Sequence, residues 1–212
     1  MKKYLLTVLA LGATMMMACN PSDNGNKTPE PPVKADYVIT TAFAGFLDYY
    51  GDYYGIGLNN FNLEVDVVEG TNARMFFIEY MMPTSCTDGL GTIKPDANWL
   101  ENLMNGATKP NHYITGLAME DGLYGSAYGE MNLATEEMTL LEAIVDGDIT
   151  ISHKDGKYTV KGLVKLGNGK TLKIDVTSEL EFGDYADQGA QPLSAKNIKF
   201  GHTPRFFSSI VK

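Results

Sequence analysis

The sequence predicts an all-β protein, an antiparallel up-and-down β-barrel or sandwich of about eight strands. Three observations carry this. Asp155-Gly156 and Asn168-Gly169 are hairpin signals, because these residue types tolerate the positive φ of a tight two-residue turn. Around them apolar and polar side chains alternate, which is the period of a half-buried strand. The chain also carries 22 Gly and 12 Tyr against 1 Trp, a balance that favours turns and strands over helices. Closing such a sheet on itself removes the exposed edges that invite aggregation.

The N-terminus reads as a targeting segment. Lys2 and Lys3 precede an apolar run from Tyr4 to Thr14, too short for the roughly 20 residues of a membrane span and proportioned like a signal peptide. Ala18 directly before Cys19 resembles a lipobox, although Met16 stands where leucine is usual. The expectation is removal of residues 1–18 and acylation of Cys19, the lipid attachment site, with palmitate among the acyl groups. Residues 19–35 hold Pro21, Pro29, Pro31 and Pro32 and no aromatic. They cannot bury enough apolar area to offset ordering, and are expected to form a linker. Asn20 in place of Asp favours the outer membrane by analogy with enteric bacteria. Residues 36–212 then form a single domain. With Cys19 acylated, Cys86 has no partner in the chain, so no disulfide framework is expected.

Within the domain, Phe61, Leu63, Val65 and Val67 alternate with Asn62, Glu64 and Asp66, and Glu69-Gly70-Thr71-Asn72 turns the chain. Met75–Met82 forms the next strand, with Phe76, Ile78 and Tyr80 on one face. Asp96 is placed to cap a short helix carrying Trp99, Leu100, Leu103 and Met104 and stopped by Gly106. Tyr113–Leu117 and Leu123–Met131 read as strands. Thr135–Ile144 fits either a helical turn or the approach to a strand. Ile149 and Ile151 open the C-terminal meander, followed by Tyr158, Val160, Val164 and Leu166 on one face. In the last strand Leu172, Ile174, Val176, Leu180 and Phe182 oppose Thr171, Lys173, Asp175, Thr177, Glu179 and Glu181. No βα alternation is present, which argues against a parallel sheet.

Several of these segments resemble a known family. Tyr53-Tyr54-Gly55 with Asn60-Phe61-Asn62-Leu63 is similar to the opening strand of Bacteroidetes lipoproteins of the calycin-like (lipocalin-like) β-barrel type. So are Gly147-Asp148-Ile149-Thr150-Ile151-Ser152, Gly156-Lys157-Tyr158-Thr159-Val160 and Asn168-Gly169-Lys170-Thr171, and Gly91-Thr92-Ile93 resembles a further strand of the family. The resemblance covers residues 50–182 in patches, and the helix near Trp99 departs from it. It implies an eight-stranded barrel on a lipid tether, with no set ligand and no catalytic residues.

Charge and motifs narrow the function. The net charge is −9, and without Lys2 and Lys3 the chain keeps 15 basic residues against 26 acidic ones. That argues against nucleic acid as a partner and against charge-driven binding to an anionic lipid surface. Gly169-Lys170-Thr171 imitates the end of a phosphate loop, but position 164 is Val. Gly55-Ile56-Gly57 lacks the third glycine of a dinucleotide loop, since position 60 is Asn. Gly125-Ser126-Ala127 follows Tyr124 where a nucleophile elbow needs glycine. His112, His153 and His202 have no metal-ligand spacing. Asp146, Asp148, Asp184 and Asp187 read as solvated turns in preference to a calcium site. No cofactor, metal site or catalytic residue is therefore expected.

The ligand candidates are Tyr49, Tyr50, Tyr53, Tyr54 and Trp99. Glycine-flanked tyrosines display a flat apolar face with a polar tip, which suits carbohydrate or another small amphipathic ligand. The leading expectation is a non-enzymatic, lipid-anchored envelope protein that binds a small or carbohydrate ligand. The alternative is a structural or assembly lipoprotein that docks to an envelope protein and takes no small ligand. A packed barrel interior favours the second, and a cavity lined by Tyr and Trp99 the first. A third reading, hydrolysis by Glu179 and Glu181, needs both on one strand face about 7 Å apart.

Overall fold

A computed structural model describes residues 34–119 and 122–188. Among these the chain forms β1 (Tyr37–Ile39), β2 (Ala44–Tyr49), β3 (Leu58–Glu69), β4 (Asn72–Pro83), β5 (Gly91–Asp96), α1 (Trp99–Met104), β6 (His112–Ile114) and β7 (Leu117–Met119). There follow β8 (Gly122–Tyr124), β9 (Ala127–Asn132), β10 (Glu137–Asp146), β11 (Ile149–Lys154), β12 (Lys157–Leu166), β13 (Thr171–Ser178) and β14 (Glu181–Asp184). The expected signal segment, Cys19, most of the expected linker and His202 lie outside the described residues.

The all-β expectation holds, but the closed eight-stranded barrel does not. Twelve strands share one sheet whose path runs β1-β13-β12-β11-β5-β6-β4-β3-β2-β14, with β9 and β10 forming a second bridge from β4 to β12. The departure has a local cause. β12 takes β13 along one edge, while its other edge takes β11 up to Gly162 and then β10 at Lys165 and Leu166. β4 likewise takes β3 along one edge, and β9 and then β6 along the other. The terminal strands add in parallel, β1 to β13 and β14 to β2, and stand at the two ends of this path. β5 and β6 are a third parallel pair, a mixed arrangement that the meander pattern did not predict. β7 and β8 form a separate hairpin.

The turns follow their chemistry. Asp155 and Gly156 both have positive φ, 52° and 76°, and join β11 to β12 in the two-residue hairpin geometry. Gly70 and Gly169 do the same service at φ 63° and 83°. Other boundaries differ from expectation. Tyr113–Leu117 and Leu123–Met131 each break in two, at 115–116 and 125–126, where Gly116 approaches Ser126 O and the Ala143 backbone too closely for a Cβ and Gly125 takes a φ of 77°. Glu137–Asp146 is strand throughout, paired to β9 as far as Ala143 and then to β12. The last predicted strand stops at Ser178, and β14 pairs with a different neighbour. Leu180 packs on the core, while Phe182 is 43% exposed. α1 forms where predicted, but Asp96 is not its cap. The cap position is Asn98, and Asp96 instead accepts from Asn98 N at 3.1 Å and from Asn102 Nδ2 at 2.8 Å.

The main core lies on the inner face of both halves of the sheet. Phe61, Phe76, Tyr80, Tyr113 and Tyr128 are its largest fully buried side chains, and Leu63, Ile78, Ile93, Ile149 and Leu172 pack with them. Tyr80 and Tyr113 place their hydroxyls on Gly89 O (2.8 Å) and Gly147 O (3.0 Å), so these rings fill the interior without stranding a donor.

Candidate functional site

The unexpected chemistry lies on the opposite face of β2, β3 and β4. In-register pairing sets Asp48 beside Asn62 and Asn62 beside Glu79. Glu64 lies between Phe46 and Phe77, and Asp66 between Ala44 and Met75. Alternation alone would put these polar residues in water. Instead Asp48, Asn60, Asn62, Glu64, Asp66 and Glu79 are all buried, none more than 4% exposed.

Glu79 is the centre of a bonded group. Its Oε1 accepts from the Tyr54 hydroxyl at 2.6 Å and from Asn60 Nδ2 at 3.1 Å. Burial raises its carboxyl above the usual range, against the lowering effect of these two donors. Asp66 is pushed up to about 9 by burial and by the adjacent Glu64 carboxyl, and so stays protonated at neutral pH. Among the described residues, the buried side-chain atoms left without a hydrogen-bond partner are Asn60 Oδ1, Asn62 Oδ1, both Asp66 carboxyl oxygens, Glu79 Oε2 and Thr108 Oγ1. All except Thr108 sit on this one face; the Asn60, Asn62 and Glu79 oxygens call for donors, while a protonated Asp66 carries a donor of its own. Removing the Tyr54 hydroxyl should therefore be costly. Tyr54→Phe is expected to lower stability by about 1–3 kcal/mol, read as a shift in the urea midpoint. An unchanged midpoint would show that the Tyr54–Glu79 bond contributes nothing.

Four of the five predicted aromatic residues gather at the end of this face. The loop after β2 is held by Asp52, whose carboxylate oxygens accept from Ile56 N (2.8 Å) and Gly57 N (2.9 Å). Gly51, Gly55 and Gly57 all take positive φ there, so the glycines around the tyrosines set the turn. Tyr53 meets Tyr54 edge-on at 5.0 Å, Tyr50 meets Tyr53 at 6.1 Å, and Tyr185 stacks on Tyr50 at 5.4 Å. Tyr54 and Trp99 are buried with Met81, Leu103 and Ile114, and Tyr53 is half-buried against them. Burial, and then the Glu79 charge, raises the Tyr53 hydroxyl above its ordinary value. Tyr49 does not join this group. It lies one residue out of phase, in contact with Phe61 at 5.0 Å, and packs on the main core. Beside Trp99 an open cleft of about 380 Å³ is lined by Asn98, Leu100, Met104, Thr115 and Leu117.

The remaining candidates are placed by simpler contacts. His112 Nδ1 is 2.8 Å from Pro110 O, and the His153 ring lies 4.4 Å from that of Tyr158. Asp146 and Asp184 accept from Gly147 N and Ala186 N, as turn residues do. Cys86 donates to Asp88 at 3.3 Å, and burial raises its thiol. Glu179 falls between β13 and β14 while Glu181 begins β14, so the two do not lie on one strand as the sequence suggested. Among the described residues no helix is long and apolar enough to cross a membrane.

Sequence reasoning missed the buried carboxylates. The available signal was the run Met75–Met82, which is apolar on both faces except for Glu79; such a run marks a strand covered on both sides. No protein-family model, curated protein or solved structure matches this chain.

Proposed function

We propose that this is a lipid-anchored, calycin-like lipoprotein of the cell envelope, tethered to the outer membrane through Cys19, that binds a small or carbohydrate ligand without catalysis. The observation that carries the reading is the corner where Tyr50, Tyr53, Tyr54 and Trp99 meet over Asn60 and Glu79. Aromatic faces beside buried polar groups are the usual means of orienting a ring that is apolar on its faces and polar on its rim. The ligand contacts lie at this corner and in the adjoining cleft, since large aromatic side chains occupy the interior. Ligand hydroxyls would supply the donors that the acceptor-rich floor lacks.

Trp99 is the only tryptophan in the chain, so its emission reports on this corner directly. Titration with malto-, xylo- and chito-oligosaccharides and with a fatty acid is expected to shift that emission for at least one probe. The same probe should raise the melting temperature, and Tyr53→Ala should abolish both effects. If no probe does either, the ligand-binding reading fails.

A second reading, docking to another envelope protein with no small ligand, is favoured by the filled interior and by exposed apolar side chains. Phe43 is 69% exposed and Leu141 45%. Recovery of a defined partner with loss on Phe43→Ser or Leu141→Ser would decide for it.

A further inference from the structure

The net charge of −9 hides a segregation that only the fold displays. On the outer face of β5, β11, β12 and β13 the water-facing positions are filled mainly by lysine and threonine. Lys94, Lys154, Lys157, Lys161, Lys165 and Lys173 are exposed. All belong to neighbouring strands of one sheet region. Threonine hydroxyls bond across strands between them, Thr92 to Thr150 and Thr159 to Thr177, both at 2.9 Å. Asp175 lies on this face in an ion pair with Lys161 at 3.3 Å, Asp146 stands opposite Lys165, Asp36 is bonded to Thr171, and Asp148, Asp155 and Glu179 lie just beyond the ends of these strands. The buried acids Asp48, Glu64, Asp66 and Glu79 belong to the other half of the sheet.

The chain enters the described domain at the edge of this sheet region. β1 pairs in parallel with β13, and Asp36 fixes the junction by accepting from Thr171 N at 2.9 Å and donating its own N–H to Thr171 O at 3.1 Å. From Cys19 to Tyr37 is 18 residues, a span of at most about 65 Å even fully stretched.

We propose that the Lys/Thr face of β5-β11-β12-β13 docks on the anionic lipid headgroups of the membrane that carries the anchor. This rests on the lipid-anchor reading for its geometry and on charge complementarity for its partner. Net charge is a poor guide to such contact. Six lysines on one surface meet the headgroup phosphates, while most of the acidic residues lie on other surfaces, and the field falls off within about a Debye length.

The test uses the full chain with Cys19→Ala, so that no acyl group contributes, and vesicles of phosphatidylcholine with or without one part in three of phosphatidylglycerol. Binding is expected to require phosphatidylglycerol, to fall as salt rises, and to drop about a hundredfold in Lys161→Gln/Lys165→Gln/Lys173→Gln. The Lys→Arg version of the same triple should keep it. These exposed substitutions should leave the melting temperature unchanged, which separates lost docking from lost folding. Equal binding to both vesicle types, or an unaffected Gln triple, overturns the proposal. So does binding to dextran sulfate with none to vesicles, which would identify a soluble polyanion as the partner. The anchor is judged separately, by the mass of Cys19 in protein from cells: a bare cysteine sinks the anchor and leaves the vesicle result standing.

Discussion

An Asp66→Asn protein is expected to melt about 5–10 °C above the parent at pH 7. In the unfolded chain Asp66 ionises near its ordinary value of 3.8, while in the fold burial and Glu64 raise it to about 9. At pH 7 the folded Asp66–Glu64 pair therefore holds a proton that the unfolded chain releases, at a cost on the order of 4 kcal/mol. The sign is fixed by that difference. Stability from this group is fully present below about pH 4, declines as pH rises, and is lost by the time pH passes the folded value. Asparagine has the same shape and nothing to titrate, so it should remove both the cost and that part of the pH slope. Thermal melts of both proteins from pH 4 to pH 9 check this. Equal slopes, or a lower melting point for the variant, would mean that Asp66 is ionised in the fold.

Gly147→Ala should be among the most damaging single substitutions, costing about 3 kcal/mol or more. Gly147 sits between β10 and β11 at φ 103°, a conformation that L side chains rarely adopt, and an added Cβ would lie 2.3 Å from Leu163 O. That oxygen belongs to the backbone of β12, near the point where its pairing passes from β11 to β10, so it cannot swing away as a side chain can. The Tyr113 hydroxyl also donates to Gly147 O at 3.0 Å, and a shifted loop would strand it. Guanidinium unfolding of the variant, compared with Gly156→Ala, provides the control. Gly156 also has positive φ but has nothing within 4 Å of its Cβ position, so the difference between the two measures the collision.

The meander of β11, β12 and β13 was legible because it meets the conditions under which alternation is informative. One face packs on Ile149, Val160 and Ile174, and the other meets water through Thr150, Lys161 and Lys173. The same rule misled on β3, where Asn60, Asn62, Glu64 and Asp66 have the spacing of a solvated face but are buried. Hydrophobic periodicity records which residues differ, and it cannot register a second layer lying over the polar side. The aromatic corner was partly legible for a local reason. Gly51, Gly55 and Gly57 bend the loop so that Tyr53 and Tyr54 pack in the cluster of Trp99, with Tyr50 against Tyr53. Tyr49, the last residue of β2, obeys the two-residue period of the strand and so faces the other way. Barrel closure was beyond reach, because it depends on which distant strands pair. Nothing within Tyr37–Ile39 or Glu181–Asp184 marks a parallel partner more than a hundred residues away.

Those two short strands set the order in which the molecule can be completed. Asp36 bonds to Thr171 across 135 positions of chain, and β2 gains its outer neighbour only from β14. Synthesis therefore delivers the first half of the sheet with bare margins, which are sealed only after β13 and β14 have emerged. Such closure over long chain separations carries a large loop entropy and belongs to the slow end of folding rates. Until it is complete, the margins of β2 and β13 are open to pairing with whatever strand comes first.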